Sequence, residues 1–125
     1  MDFTKRRLPD SELEVMQAIW SCHAPVSRRD IENILLPRHP MALTTLLTLL
    51  TRLAEKEFLR IDKVGRSSVY TPLVTEQEYL ASQSNRFFTK LCGGNLSTFA
   101  TALCDGGLSR EELEELKRLL EEHAL

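Results

Sequence analysis

The stretch that most constrains this chain is Leu43–Arg66, where a leucine-rich segment of helical periodicity runs directly into a short basic hairpin. Projected at helical pitch, about 100° per residue, the segment Leu43–Glu57 separates into two faces. Leu43, Leu46, Leu49, Leu50, Leu53 and Ala54 fall on one side, and Thr44, Thr45, Thr48, Thr51 and Arg52 on the other. A helix of this kind buries its leucines and turns hydroxyls and a guanidinium outward. Threonine is a middling helix former, so helix propensity does not account for four of them on one face. Short hydroxyl side chains can bond base edges or phosphates, and the threonine methyl can touch a thymine methyl. Alone, the same face also reads as an ordinary solvated surface.

The residues just beyond the helix shift that balance. Phe58–Asp62 and Ser68–Thr71 alternate apolar and polar residues, and Lys63-Val64-Gly65-Arg66-Ser67 between them is a glycine turn with two cations. This is a hairpin signal, and Pro72 ends its second strand. Two helices are expected upstream. The first follows Pro9-Asp10, with Ser11 and Glu14 spaced as a capping box and Leu13, Met16, Ile19 and Trp20 as its core stripe, ending at Ala24-Pro25. The second starts at Ser27 with Asp30 in the box position, carries Ile31, Ile34 and Leu35, and closes at Pro37. Arg28 and Arg29 sit in its first turn, where the helix dipole disfavours cations unless an anion is near. Three helices followed by a basic-tipped hairpin is winged helix-turn-helix architecture, whose third helix enters the major groove while the wing follows the backbone.

Residues 75–125 read as a different object. Thr75 with Glu78 opens a helix bearing Tyr79, Leu80, Phe87, Phe88 and Leu91, and Gly93-Gly94 breaks it. Leu96, Phe99, Ala100 and Leu103 make a second short helix, ended by Gly106-Gly107. Ser109 with Glu112 caps a last helix with Leu113, Leu116, Leu119 and Leu120. Three short helices bury such stripes poorly on themselves. A twin copy would cover them and supply two recognition helices for a two-fold site. The alternative is that the tail packs back on its own winged helix. The expected organisation is therefore mainly α: a winged-helix DNA-binding domain over 1–74 and a helical dimerisation domain over 75–125.

Composition sets the outer limits. The chain has 125 residues, 42% of them apolar, and a net charge of −2. Residues 1–75 hold 11 Lys/Arg against 9 Asp/Glu, and residues 76–125 hold 5 against 9, so the acidic excess lies away from the helix and wing. No apolar run reaches the ~18 residues a membrane span needs, and no apolar segment follows Lys5, Arg6 and Arg7, so neither membrane insertion nor a signal peptide is expected. Residues 1–8 read as a basic arm, and a cytoplasmic location is expected. Cys22, Cys92 and Cys104 are odd in number and widely spaced, which argues against disulfides and against a thiolate metal site. His23, His39 and His123 lie in no nucleophile or base context, and there is no phosphate-binding glycine loop. No enzyme activity, metal or cofactor is expected.

The sequence resembles the penicillinase-repressor family of winged-helix regulators over about residues 8–123. The resemblance is carried by Leu8-Pro9-Asp10-Ser11-Glu12-Leu13-Glu14-Val15-Met16 with Ile19-Trp20, and by Leu50-Thr51-Arg52-Leu53 with Glu57-Phe58-Leu59. Gly65-Arg66 with Val69-Tyr70-Thr71-Pro72, and Leu108-Ser109 with Glu112-Leu113 and Leu116, complete it in family order. It implies a homodimeric repressor of a dyad operator, many of whose relatives control resistance genes. In one branch a membrane sensor-protease is a partner and the repressor is cleaved at an Asn-Phe bond. The chain departs from the family at three places. Thr44 and Leu47 stand where the recognition helix often has lysine and glutamine, Ala102-Leu103 stands at the cleavage bond, and the Cys-x-Cys pairs of a copper-responsive branch are absent.

These readings assign DNA contact to Thr44, Thr45, Leu47, Thr48, Arg52, Lys63 and Arg66, with Arg28 as a further phosphate contact. They assign the dimer interface to Leu80, Phe87, Leu91, Phe99, Leu113, Leu116 and Leu120. Two other readings stay open: a winged-helix interaction dimer that has lost specific DNA binding, and a regulator responding to oxidation through Cys92 or Cys104.

Overall fold

The computed structural model describes residues 6–123, so Lys5 and the rest of the expected arm before Arg6 lie outside it. The elements run α1 (Asp10–Trp20), β1 (Val26–Ser27), α2 (Arg28–Leu35), α3 (Leu43–Glu55), β2 (Leu59–Val64), β3 (Ser67–Pro72), α4 (Glu76–Arg86), α5 (Leu96–Asp105) and α6 (Arg110–His123), with a π-helical turn at Phe87–Leu91. This is a winged-helix fold followed by a helical region. Packing divides the chain into two compact units, one ending at Gln83 and the other beginning at Ser84.

In the first unit, the three helices and the sheet close over a single core. Val15, Met16 and Ile19 from α1, Ile31 and Leu35 from α2, and Leu46, Leu49, Leu50 and Leu53 from α3 meet Phe58, Leu59 and Tyr70. The leucine face expected of α3 is therefore its buried face, except at the N-terminus. Helical projection puts Leu43 on that face, yet it is 45% exposed, because the core ends one turn further along the helix. Each fully buried leucine of this set contributes roughly 1.5–3 kcal/mol of apolar transfer energy.

The end of α3 is closed by a Schellman arrangement. The Phe58 N–H donates to the Leu53 carbonyl at 2.9 Å and the Glu57 N–H to the Ala54 carbonyl at 3.0 Å. The residue that turns the chain there is Glu57, held at φ 64°, where glycine is usual. Phe58 is thereby dropped into the core and the chain enters β2.

The wing is tighter than the sequence suggests. β2 and β3 pair antiparallel from Leu59 opposite Pro72 to Val64 opposite Ser67, so only Gly65 and Arg66 form the turn. Gly65 at φ 64° supplies the positive φ that a two-residue hairpin needs at its first central position. Lys63, expected in the turn, is a strand residue opposite Ser68. A third strand, β1, pairs Val26 with Tyr70 and Ser27 with Val69, giving the order β1-β3-β2. Two residues are too few for any alternation to reveal.

Three of the four expected capping boxes form, at Ser27/Asp30, Thr75/Glu78 and Ser109/Glu112. The fourth does not. α1 begins one residue before Ser11, with Pro9 in the N-cap position and no side-chain cap. The segment before it is anchored as well: Leu8 is 1% exposed and its N–H donates to the Tyr79 hydroxyl at 2.8 Å. The basic arm thus ends before Leu8.

Tyr79 also carries the first unit past the expected boundary at residue 74. Its ring lies 5.7 Å from both Trp20 and Phe58, edge-on to the latter, while the Trp20 indole N–H donates to the Val74 carbonyl at 2.9 Å. Tyr79 of α4 is thus part of the winged-helix core, while Leu80, expected at the dimer interface, lies in the same unit and is 59% exposed.

The second unit is built differently. Phe99 of α5 packs edge-on between Phe87 and Phe88, at 5.6 and 5.7 Å. Cys92 is its buried thiol, whereas α5 and α6 bury no residue at all.

Candidate nucleic-acid interface

The outward face of α3 presents Thr44, Thr45, Leu47, Thr48, Thr51 and Arg52 to solvent. The helix is uncapped at its start, since Ala42 offers no side-chain acceptor and the first intrahelical bond is from Leu46 N–H to the Ala42 carbonyl at 3.0 Å. The N–H groups of Leu43, Thr44 and Thr45 are thus left facing outward at the positive end of the helix dipole.

The threonines are not equivalent. Thr48 Oγ1 donates to the Thr44 carbonyl at 2.9 Å and Thr51 Oγ1 to the Leu47 carbonyl at 3.0 Å. Their single hydroxyl hydrogens are committed to the helix. Thr44 and Thr45 make no side-chain hydrogen bond among the described residues.

Beside this face lies a concavity of about 550 Å³ lined by Ser27, Arg28, Arg29, Leu47, Lys63, Arg66, Ser67, Ser68 and Tyr70. Local structure explains the convergence. The Ser27 capping box fixes the first turn of α2, so Arg28 and Arg29 project from a defined helix start. The two-residue turn sets Arg66 at the wing tip with Lys63 three positions earlier, in β2. Arg28 is held by Glu32 at 2.8 Å, both half-exposed, and the lining holds no carboxylate. Four cations around one hollow with no lining acid make a site for phosphate oxygens.

Of the residues assigned from sequence, the structure brings Arg28, Leu47, Lys63 and Arg66 to this concavity, while Thr44, Thr45, Thr48 and Arg52 lie on the open helix face outside its lining. Ser27, Ser67, Ser68 and Tyr70 are additions that the sequence reading misses, and Arg29, noted there with Arg28 in the first turn of α2 but not assigned to DNA contact, joins them. Arg29 is adjacent to Arg28 in the same first turn, and Ser68 and Tyr70 share one face of β3 by the period of two, so both signals are present in the pattern. Tyr70 is buried at the floor. Burial pushes its phenol up from the ordinary value of 10.0, and the nearby Arg28 charge and a Ser68 hydrogen bond offset this only in part.

The described residues hold no cluster of three His, Cys, Asp or Glu side chains, and no described helix is long and apolar enough to cross a membrane. Arg60 and Asp62 pair on the wing at 2.8 Å, outside the concavity.

Comparison with known proteins places this geometry. Residues 8–122 match the family model described as Penicillinase repressor. The chain is 34% identical over 118 residues to the penicillinase repressor of Bacillus licheniformis, covering 94% of this chain and 91% of that one. It is 30% identical over 121 residues to the methicillin resistance regulatory protein MecI of Mammaliicoccus sciuri, covering 96% and 98%. Among solved structures it is similar to the solution structure of the monomeric form of Bacillus licheniformis BlaI in complex with the blaP half-operator. That match has a TM-score of 0.50 and 34% identity, and covers 61% of this chain and 92% of that chain. With its winged helix, basic concavity and near-complete family match, the chain belongs to the penicillinase repressor family.

Proposed function

We propose that this protein is a homodimeric transcriptional repressor that binds a dyad operator, with α3 in the major groove and the wing along the backbone. The observation that carries the reading is the acid-free concavity joining Arg28, Arg29, Lys63 and Arg66 to the exposed face of α3. Thr44, Thr45, Leu47 and Thr48 face the bases, and Arg52, Lys63, Arg66 and Arg28 contact phosphates. The uncapped start of α3 adds backbone donors for a phosphate.

Dimerisation rests on the second unit. Leu91 is 76% exposed and Leu120 60%, and neither α5 nor α6 buries a single residue. A second copy laid on Phe87, Leu91, Phe99, Leu113, Leu116 and Leu120 removes this apolar surface from water and gives two recognition helices for one operator. A sensor-protease is not part of the proposal, since Ala102-Leu103 lies inside α5 and lacks the family's Asn-Phe pair.

The test is a titration against the promoter fragment of the protein's own operon, with scrambled duplex as control and at several salt concentrations. Operator binding gives tight, selective association whose logarithm falls steeply with log salt. Charge reversal at Arg52, Lys63 and Arg66 together abolishes it, and each single reversal lowers the salt slope by about one. Equal weak binding to both fragments refutes the repressor reading and favours an interaction module.

A further inference from the structure

The outward face of the first two turns of α3 is unusual for a helix aimed at base edges. From Leu43 to Thr51 the helix carries no amide, carboxylate or cationic side chain, and Arg52 follows only in the last turn. Two of its four hydroxyls are spent on the helix itself, at Thr48 and Thr51. A hydroxyl has one hydrogen, so neither residue can donate to a base without giving up that bond. With Oγ1 turned back onto the helix, the γ-methyl occupies another staggered position and remains available for contact. Beside Thr48, Leu47 stands 40% exposed, and Leu43 one turn earlier 45%.

A lone exposed leucine needs no explanation. Here, however, Leu47 stands beside Thr48 on the face that would enter the groove, with exposed Leu43 at its margin. The one apolar group on the major-groove edges of unmodified DNA is the C5-methyl of thymine. Resting on the reading that α3 enters the major groove, we infer that Leu47 and Thr48, flanked by Leu43, read thymine methyl groups. The half-site is then specified chiefly by where thymines stand. Thr44 and Thr45 supply the remaining polar contacts, and the wing and α2 cations hold register on the phosphates.

The experiment selects binders for the full-length protein from a pool of randomised duplex DNA. The enriched duplex is then resynthesised with deoxyuridine in place of thymine, which removes the methyl and leaves the pairing and O4 unchanged. Affinity should fall about fourfold for each contacted methyl, on the transfer energy of one buried carbon, with the salt slope unchanged. Equal affinity for the two duplexes overturns methyl readout and leaves the DNA-binding reading intact. No enrichment over the starting pool overturns both. A pair of variants at exposed Thr48 separates methyl from hydroxyl without touching the core. Thr48→Val should bind within about twofold of the parent, whereas Thr48→Ser should lose about fourfold on the thymine duplex and nothing on the uracil duplex. The reverse order, with Thr48→Val the weaker binder, would assign the readout to the hydroxyl and overturn the inference.

Discussion

The Lys56 ammonium donates to Glu12 Oε1 at 2.6 Å, tying the C-terminal cap of α3 to the first turn of α1 across 44 positions of sequence. The carboxylate side chain is only 5% exposed and the ammonium 22%. A pair this buried does little for net stability, but removing one member strands the other. Lys56→Met should therefore cost about 3 kcal/mol, read by urea unfolding, because it leaves a buried carboxylate without its partner. The double variant Glu12→Leu/Lys56→Met should recover most of that loss. A double variant that loses the sum of the two single-variant losses would mean that Glu12 and Lys56 are not energetically coupled.

Glu57 occupies the left-handed C′ position of the Schellman closure at φ 64°. A non-glycine residue there carries about 1–2 kcal/mol of steric strain, and glycine in its place gives back roughly 0.5–1 kcal/mol in unfolded-chain entropy. Glu57→Gly should thus leave the protein as stable or raise it by up to about 1 kcal/mol, a melting shift of several degrees. Glu57→Val, β-branched at the same φ, should lower the melting temperature instead.

These two features also mark where the sequence stops being legible. Local signals survive folding: the leucine period of α3, the glycine at the wing tip, and the capping boxes at Ser27, Thr75 and Ser109 all act within a few residues. The failures are non-local or too short. Nothing in the pattern ties Glu12 to Lys56. β1 is two residues long, and its pairing with β3 is tertiary. Tyr79 fits the tail's aromatic stripe, yet its contacts with Leu8, Trp20 and Phe58 belong to the first unit. At the candidate interface, the α3 face is readable, but the hydrogen bonds that tie up Thr48 and Thr51 depend on side-chain rotamers that periodicity does not encode. The spelling S-x-x-E is likewise insufficient at Ser11, because the helix begins at Asp10 with Pro9 in the N-cap position and Ser11 already lies inside the first turn.

Ala42 offers a separable test of the uncapped start of α3. Ala42→Asp supplies the missing acceptor and a negative charge at the positive end of the dipole. It should raise stability by about 1 kcal/mol. If the same N–H groups meet a phosphate, the substitution should also weaken DNA binding, while Ala42→Ser stabilises with a smaller loss. Stabilisation with unchanged affinity would remove this helix start from the phosphate contacts.

Tyr70, among the described residues, gives a pH dependence of stability. Its phenol is raised above the ordinary 10.0 by burial, so the folded chain holds the proton after the unfolded chain has released it. Its contribution is complete below about pH 10 and is lost as pH rises through the folded value, because the unfolded state then binds fewer protons. Urea midpoints measured through this alkaline range should fall, and Tyr70→Phe should flatten that fall. The phenolate absorbance of the parent should rise late, and the variant should lack the late component. A Tyr70→Phe profile parallel to the parent's would place the alkaline sensitivity elsewhere.

Leu91 and Leu120 decide whether the second unit is a dimer interface. Both are well exposed in the single chain, so charged replacements there cost little in the monomer fold. In a dimer they would sit in an apolar interface where a carboxylate without a partner is expensive. Leu91→Glu/Leu120→Glu should shift the protein to monomer in sedimentation equilibrium and abolish any dependence of the melting temperature on protein concentration. Affinity for a two-fold operator should fall by about 10²-fold or more, since linked half-sites gain roughly that factor from effective concentration, while affinity for a single half-site stays the same. A variant that remains dimeric would move the interface off this face, and one that loses half-site binding as well would show that the substitutions act through folding rather than assembly.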